Sequence, residues 1–165
     1  MTTSFTALQK LIIWADNNNI SHEKLPRDIK LLKNLKLLDL SNLSLGVLPD
    51  EIGDLMLLKE LYICGNELKN LPQTLCNLKN LEILWLQNNQ LTTIPDEIAT
   101  LPMLKDLVAY DNQIIDFLTD ILYMKSLKSI FLHDNCLVDE KIKALKLLSL
   151  KLKFVSCYSQ RTAIK

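Results

Sequence analysis

A leucine register returns every 23 residues along this chain, at Leu35, Leu58, Leu81, Leu104 and Leu127, without a slip. No other feature constrains the fold as much. A unit of that length is too short to bury its own apolar face. Units must therefore stack and share one continuous core, which is the signature of a solenoid. The clearest unit places Leu81, Leu84, Leu86, Leu91, Ile94, Ile98 and Leu101 at apolar positions, with Asn89 and Pro95 between them. The unit before it repeats those places with Leu58, Leu61, Ile63, Asn66, Leu68, Leu71, Pro72, Leu75 and Leu78.

Within each unit the L-x-L pair predicts a short strand, because period-two alternation turns both leucines inward. The residues between and beside them then point outward, onto one shared sheet face. The asparagine that follows turns the chain, and its amide is placed to bond backbone groups of adjacent coils. Asn66, Asn89, Asn112 and Asn135 are expected to stack as such a ladder, a structural role. Several positions depart from the pattern. Leu43 holds the asparagine place of the first full unit. Ala109 stands where a core leucine is expected, so neighbours must fill its volume or leave a cavity. Phe117-Leu118 replaces Leu-Pro, which predicts an irregular outer side for the fourth unit.

The L-x-x-L-x-L-x-x-N-x-L-x-x-L-P-x-x-I arrangement resembles the leucine-rich-repeat family, in its 23-residue class with an LP-x-x-I segment. The resemblance implies an α/β solenoid: a short right-handed coil with a parallel β-sheet on its concave side. It also implies a ribbed binding surface with no pre-built catalytic pocket.

Both ends are expected to be capped. Residues 4–15 place Phe5, Leu8, Leu11, Ile12 and Ala15 at helical spacing, with Thr2, Thr3 or Ser4 as N-cap. Asn17-Asn18-Asn19 then ends the pattern. Trp14 either completes the seal or sits at its rim. Leu25-Pro26-Arg27-Asp28-Ile29 is already an LP-x-x-I block, so the cap replaces only the strand half of the first repeat. His22 takes a core-leucine place and is expected to be a partly buried structural residue. At the far end, residues 138–148 have helical spacing at Ile142, Leu145 and Leu148. Leu152, Phe154 and Cys157 then echo L-x-L-x-x-N, with a step of 22 from Ile130 to Leu152. Cysteine in the asparagine place is a variant the family uses. The whole chain, 1–165, is predicted to be one domain: an N-terminal cap at 1–21, repeats at 22–137, and a C-terminal helix-plus-strand cap with its tail at 138–165.

Lys plus Arg equals Asp plus Glu, at 19 each, so the charge makes no general case for nucleic acid, and the nucleic-acid-binding motifs are missing. The C-terminal stretch is nonetheless basic: Lys141, Lys143, Lys146, Lys151, Lys153, Arg161 and Lys165 occur there with no acid. It suits a solvated capping face or a partner-attracting patch. Its interleaved Leu145, Leu147, Leu148, Leu150 and Leu152 also give it the composition of an interfacial membrane segment. The repeat register of Leu152 and Phe154 favours capping, with a peripheral membrane-associated adaptor as the alternative.

Cys64, Cys76, Cys136 and Cys157 match no zinc spacing. They also lack the terminal clusters that extracellular members of the family carry. Neither a secretory leader nor an apolar run of about 18 residues is visible. A reduced, cytoplasmic protein is expected.

The outward columns hold the binding information. The central column is Asp39, Tyr62, Trp85, Val108 and Phe131. The column before it is Leu37, Glu60, Ile83, Asp106 and Ser129, and the column after it is Ser41, Cys64, Gln87, Tyr110 and His133. An unoccupied strand face has no need of Tyr62, Trp85, Tyr110 and Phe131 together with Ile83, Val108 and Gln87. Contiguous apolar surface marks interaction sites, and aromatics dominate interface hot spots. Trp85, at the centre, is the residue expected to matter most. The bland account is that aromatics suit strands and cover one another across the pleat.

A further column becomes acidic: Asn42, Gly65, Asn88, Asp111, Asp134. With Asp106 and His133 it forms a patch suited to an Arg or Lys of a partner. Asp111, His133 and Asp134 have the residue types of a cation site but not a dedicated ligand set, and they read as a solvated rim. No metal or cofactor is predicted.

Catalysis is not expected either. The only histidines, His22 and His133, lie at opposite ends of the coil. With Gly46, Gly53 and Gly65 as its only glycines, the chain has no phosphate loop. The sequence therefore predicts non-catalytic recognition of another protein by a monomer, through occlusion, blocking or bridging. The resemblance extends to small leucine-rich-repeat effectors that intracellular bacteria deliver into host cells, where they bind host factors or regulate a co-delivered effector. Eukaryotic adaptors of the Ras-associated repeat class share the same pattern.

Overall fold

Alternation within each L-x-L pair produces six three-residue strands in the computed structural model, which describes residues 5–117, 119–148 and 154–156. They are β1 (Leu37–Asp39), β2 (Glu60–Tyr62), β3 (Ile83–Trp85), β4 (Asp106–Val108), β5 (Ser129–Phe131) and β6 (Phe154–Ser156). All pair in parallel, in sequence order. From β1 to β5 the register advances by one repeat per strand: Leu38, Leu61, Leu84, Leu107 and Ile130 lie side by side. Those residues and their partners Leu40, Ile63, Leu86, Ala109 and Leu132 are wholly buried. The predicted leucine-rich α/β solenoid, built on one parallel sheet, is the fold.

The asparagine ladder closes each coil onto the one before. The Asn112 Nδ2 donates to Leu86 O at 3.0 Å, and its Oδ1 accepts from Leu91 N at 3.0 Å. Asn66, Asn89 and Asn135 repeat the pattern, and all four are buried. Each amide thus satisfies backbone groups that a turn inside an apolar core would otherwise leave unpaired.

On the outer side, Pro49, Pro72 and Pro95 stand immediately ahead of 3-10 segments at Asp50–Asp54, Gln73–Asn77 and Asp96–Thr100. Proline suits that place because its φ is fixed and it lacks only an N–H that a helix start leaves unpaired. The fourth repeat corrects an expectation. A 3-10 segment occupies Thr119–Tyr123 in full register, so that side is regular without Leu-Pro. Buried Phe117, Ile121 and Leu122 supply the apolar anchor. Leu118 itself lies outside the described residues.

The N-terminal cap is α1 (Ala7–Asn17), which buries Leu8, Leu11 and Ala15 and packs Ile12 and Trp14 against the core. Its N-cap is Thr6, not one of the earlier hydroxyl residues. Thr6 and Gln9 form a reciprocal capping box, which sets the start of the helix and leaves Phe5 exposed. The first LP-x-x-I block becomes a short helix, α2 (Ile29–Lys33), capped by Asp28. Arg27 ties the cap to this block through Asp16 Oδ1 at 2.7 Å and Ile20 O at 2.6 Å. His22 is exposed, against expectation. Ile20 is buried a little earlier in the chain, which relieves His22 of its core place.

At the C-terminus α3 (Asp139–Leu148) buries Leu145 and leaves Leu147 exposed. The sixth strand exists, but its register differs from the expected one. Ile130 pairs with Val155, a step of 155 − 130 = 25 rather than 22. A helix advances only about 1.5 Å per residue against about 3.3 Å in extended chain, so a ten-residue helix consumes more sequence before the chain regains the sheet. Leu152 and Cys157 lie outside the described residues.

Candidate functional site on the sheet face

Because the inward residues of β1 to β5 are held in strict register, the outward ones form the predicted columns. Tyr62, Trp85, Val108 and Phe131 lie in adjacent register positions across four strands. Trp85 stands proudest, at 39% exposure, while Tyr62, Val108 and Phe131 are half-buried. Part of that burial is mutual. The Tyr62 and Trp85 rings meet edge to face at 4.9 Å, and Tyr110 stacks on His133 at 4.5 Å. Aromatic contact across the pleat is therefore real, yet it leaves the tryptophan open at the centre of the face.

Polar groups fix the ladder from its sides. The Tyr62 hydroxyl donates to Glu60 Oε2 at 2.6 Å. That bond, with burial and the nearby negative charge adding to it, pushes the Tyr62 pKa up to about 12. Ser129 donates to Asp106 and is buried, while Ile83 is half-buried. The Cys64 thiol donates to Ser41 at 3.0 Å. Cys64, Cys76 and Cys136 are free thiols, and burial pushes Cys76 up to about 11.

Sequence reasoning placed Gln87 outward, and it does line the face, but it is only 8% exposed. Its Oε1 is shut from solvent and has no hydrogen-bond partner.

The acidic column has a second cause that the sequence did not disclose. Asn42, Gly65, Asn88, Asp111 and Asp134 all adopt positive φ, between 53° and 66°. That left-handed turn is open to glycine and tolerated by Asn and Asp, whose short side chains bond locally. Asp111 and Asp134 thus answer a backbone requirement first, and their charge comes with it. Asp134 Oδ2 lies 3.8 Å from His133 Nε2. Among the described residues, no group of three or more His, Cys, Asp or Glu is placed to hold a metal ion.

A basic ladder borders the other end of the strands at Lys36, Lys59, Lys105 and Lys128, interrupted by Glu82. Glu82 accepts from Lys59 at 3.0 Å and from Lys105, and those two bonds hold its carboxyl down to about 2. The basic C-terminal segment is only partly described. Lys141 there is engaged with Asp116 Oδ1 at 3.0 Å and Phe117 O at 2.8 Å. No helix among the described residues is long and apolar enough to cross a membrane.

A repeating coil with an asparagine ladder and a ribbed sheet face defines a class of proteins before it defines any one member. The profile of the leucine-rich repeat region matches residues 1–161, and the chain belongs to the leucine-rich-repeat family. Domains of this family are commonly protein–protein interaction modules and generally non-enzymatic. No curated protein matches the chain.

Among solved structures it is similar to a leucine-rich-repeat protein of Leptospira interrogans, with 33% identity and a TM-score of 0.71 over 79% of this chain and 33% of that one. It is also similar to internalin C2 of Listeria monocytogenes, with 29% identity and a TM-score of 0.66 over 84% of this chain and 58% of that one. A third similar structure is the ectodomain of a plant membrane receptor kinase from Arabidopsis thaliana, solved in complex with Casparian strip integrity factor 2. Identity there is 32% and the TM-score 0.64, over 78% of this chain and 16% of that one. The chain thus spans less than two thirds of the length of each of these structures.

Proposed function

We propose that this protein is a non-catalytic binding module, monomeric when free, that engages a partner protein through the sheet face and acts by masking it. The observation that carries the proposal is the open ring of Trp85 at the centre of a continuous Tyr62–Trp85–Val108–Phe131 column. Leaving such a surface exposed is unfavourable, by about 25 cal/mol for each Å² of apolar area, and a partner relieves that cost. Support also comes from the plant receptor ectodomain, which was solved in complex with Casparian strip integrity factor 2. The two bacterial structures support a bacterial setting, in which the protein acts in the cytoplasm or is delivered to a host cell to regulate a host or co-delivered protein.

The test is a pull-down from lysate comparing wild type with Tyr62→Ala/Trp85→Ala/Tyr110→Ala, with circular dichroism to verify the fold. A protein captured by wild type and lost by the folded variant supports the proposal. Capture unchanged by the substitutions contradicts it and directs attention to the basic C-terminal segment, where a membrane or a different protein surface becomes the alternative.

A further inference from the structure

Beside Trp85, on the β4–β5 side, the sheet face is hollowed into an open pit of about 480 Å³. Trp85, Val108 and Phe131 line it with apolar surface, and Gln87, Tyr110 and His133 complete it. Two of its polar atoms are buried with no partner among the described residues: Gln87 Oε1 and His133 Nδ1. Gln87 is over nine-tenths buried, at 8% exposure, so its carbonyl has been taken from water with nothing in return. That is an unusual state for an acceptor, since buried polar atoms are nearly always hydrogen-bonded.

The missing group must be a donor. Gln87 Oε1 can only accept, so the group that satisfies it donates. At the ends of β4 and β5, beside the pit, Asp111 and Asp134 directly follow Tyr110 and His133 in the chain and make the border acidic. The lysine ladder lies at the opposite end of the strands. An apolar ring-lined pit with a buried acceptor and an acidic border matches one side chain best. A guanidinium carries five N–H donors and no acceptor, keeps its charge at every relevant pH, and lies flat on aromatic faces. An ammonium offers neither the plane nor the fork.

The geometry points to this pit as the receptor for an arginine side chain presented by the partner protein, with Gln87 as the buried acceptor and Asp111 and Asp134 as the steering charges. This inference rests on the sheet face being the binding surface. It adds what that surface selects. Gln87 Oε1 is closed to solvent in the free protein, so the guanidinium engages it after a side-chain rotation at the pit floor.

The probe is N-acetyl-arginine N-methylamide, titrated into isotope-labelled full-length protein by NMR against its citrulline and lysine counterparts. Citrulline keeps the shape and loses the charge. Expected are saturable shifts at the Trp85 indole N–H and the Gln87 side-chain amide with the arginine probe, and binding at least about tenfold weaker for citrulline, as loss of a charged hydrogen bond implies. Gln87→Leu should abolish the preference for arginine. Asp111→Asn/Asp134→Asn should weaken it severalfold while sparing the fold, because asparagine tolerates the same positive φ.

The assignment is overturned if arginine gives no saturable shifts, if citrulline or lysine binds as well, or if Gln87→Leu keeps the preference. The citrulline and lysine comparisons use wild type alone, so they stand even where a variant misfolds. Loss of arginine binding with the aromatic-dependent partner retained in the pull-down overturns this assignment only. Loss of aromatic dependence there overturns the sheet-face proposal beneath it.

Discussion

At the scale of single residues, the roles here are set by what each position demands of the backbone. Asn112 bonds the coil before it and its own turn, in a site that is 1% exposed. Replacing it by alanine strands several buried backbone groups, and Asn112→Ala should lose on the order of 3 kcal/mol in urea denaturation. Asp111 and Asp134 answer a different demand, positive φ. Asp134→Asn should leave stability within about 0.5 kcal/mol, whereas Asp134→Val should cost about 1–2 kcal/mol.

Tyr62 offers a spectroscopic check. Its folded pKa of about 12 lies above the ordinary value of 10.0. The stability it contributes is therefore fully present below pH 10.0 and is lost as the pH rises toward about 12. One tyrosine should resist ionisation in an ultraviolet titration, and Glu60→Ala should return it toward the ordinary value. The acidic column shows where residue-level reading stops. A run of Asn, Gly and Asp looks like a tuned charge pattern in the sequence, and only the dihedral angles reveal a steric one.

Elements were more legible than the residues that finish them. The five strands from Leu37–Asp39 to Ser129–Phe131 follow from the 23-residue register, because the buried L-x-L pairs cannot shift by one without turning the core outward. The ends were harder to read, since a terminal coil has a neighbour on one side only. Leu152 and Phe154 imitate an L-x-L pair, yet the chain joins the sheet at Phe154–Ser156 once the ten-residue helix has taken up its length.

Thr6 outcompetes the earlier hydroxyl residues as N-cap because Gln9 lies at the spacing a capping box requires. Thr6→Ala should cost about 1 kcal/mol, seen as a lower denaturation midpoint. Between the outer segments, Gly53 is packed so closely that a Cβ would collide with the Thr74 carbonyl of the next coil. Gly53→Val must separate those coils and should destabilise by about 1–3 kcal/mol, in the same assay.

At the scale of the molecule, stacking makes stability a sum over coils and binding a property of the face they share. One side of the coil is regular 3-10 turns and the other is an aromatic column, bordered by lysines at one end of the strands and by aspartates at the other. The columns that make up this face were legible in the sequence, because register alone assigns outward positions. Its depth was not. The burial of Gln87 and the stacking of Tyr110 on His133 depend on rotamers packed across neighbouring strands, and spacing carries no information about these.

The most direct test of sheet-face binding is site-specific photo-crosslinking, with a benzoyl-phenylalanine placed at position 85 and, as a control, at the exposed Met103 outside the sheet. A single discrete adduct from position 85 and none from position 103 is the predicted result. A discrete adduct from position 103 with none from position 85 would contradict the assignment of the sheet face as the binding surface.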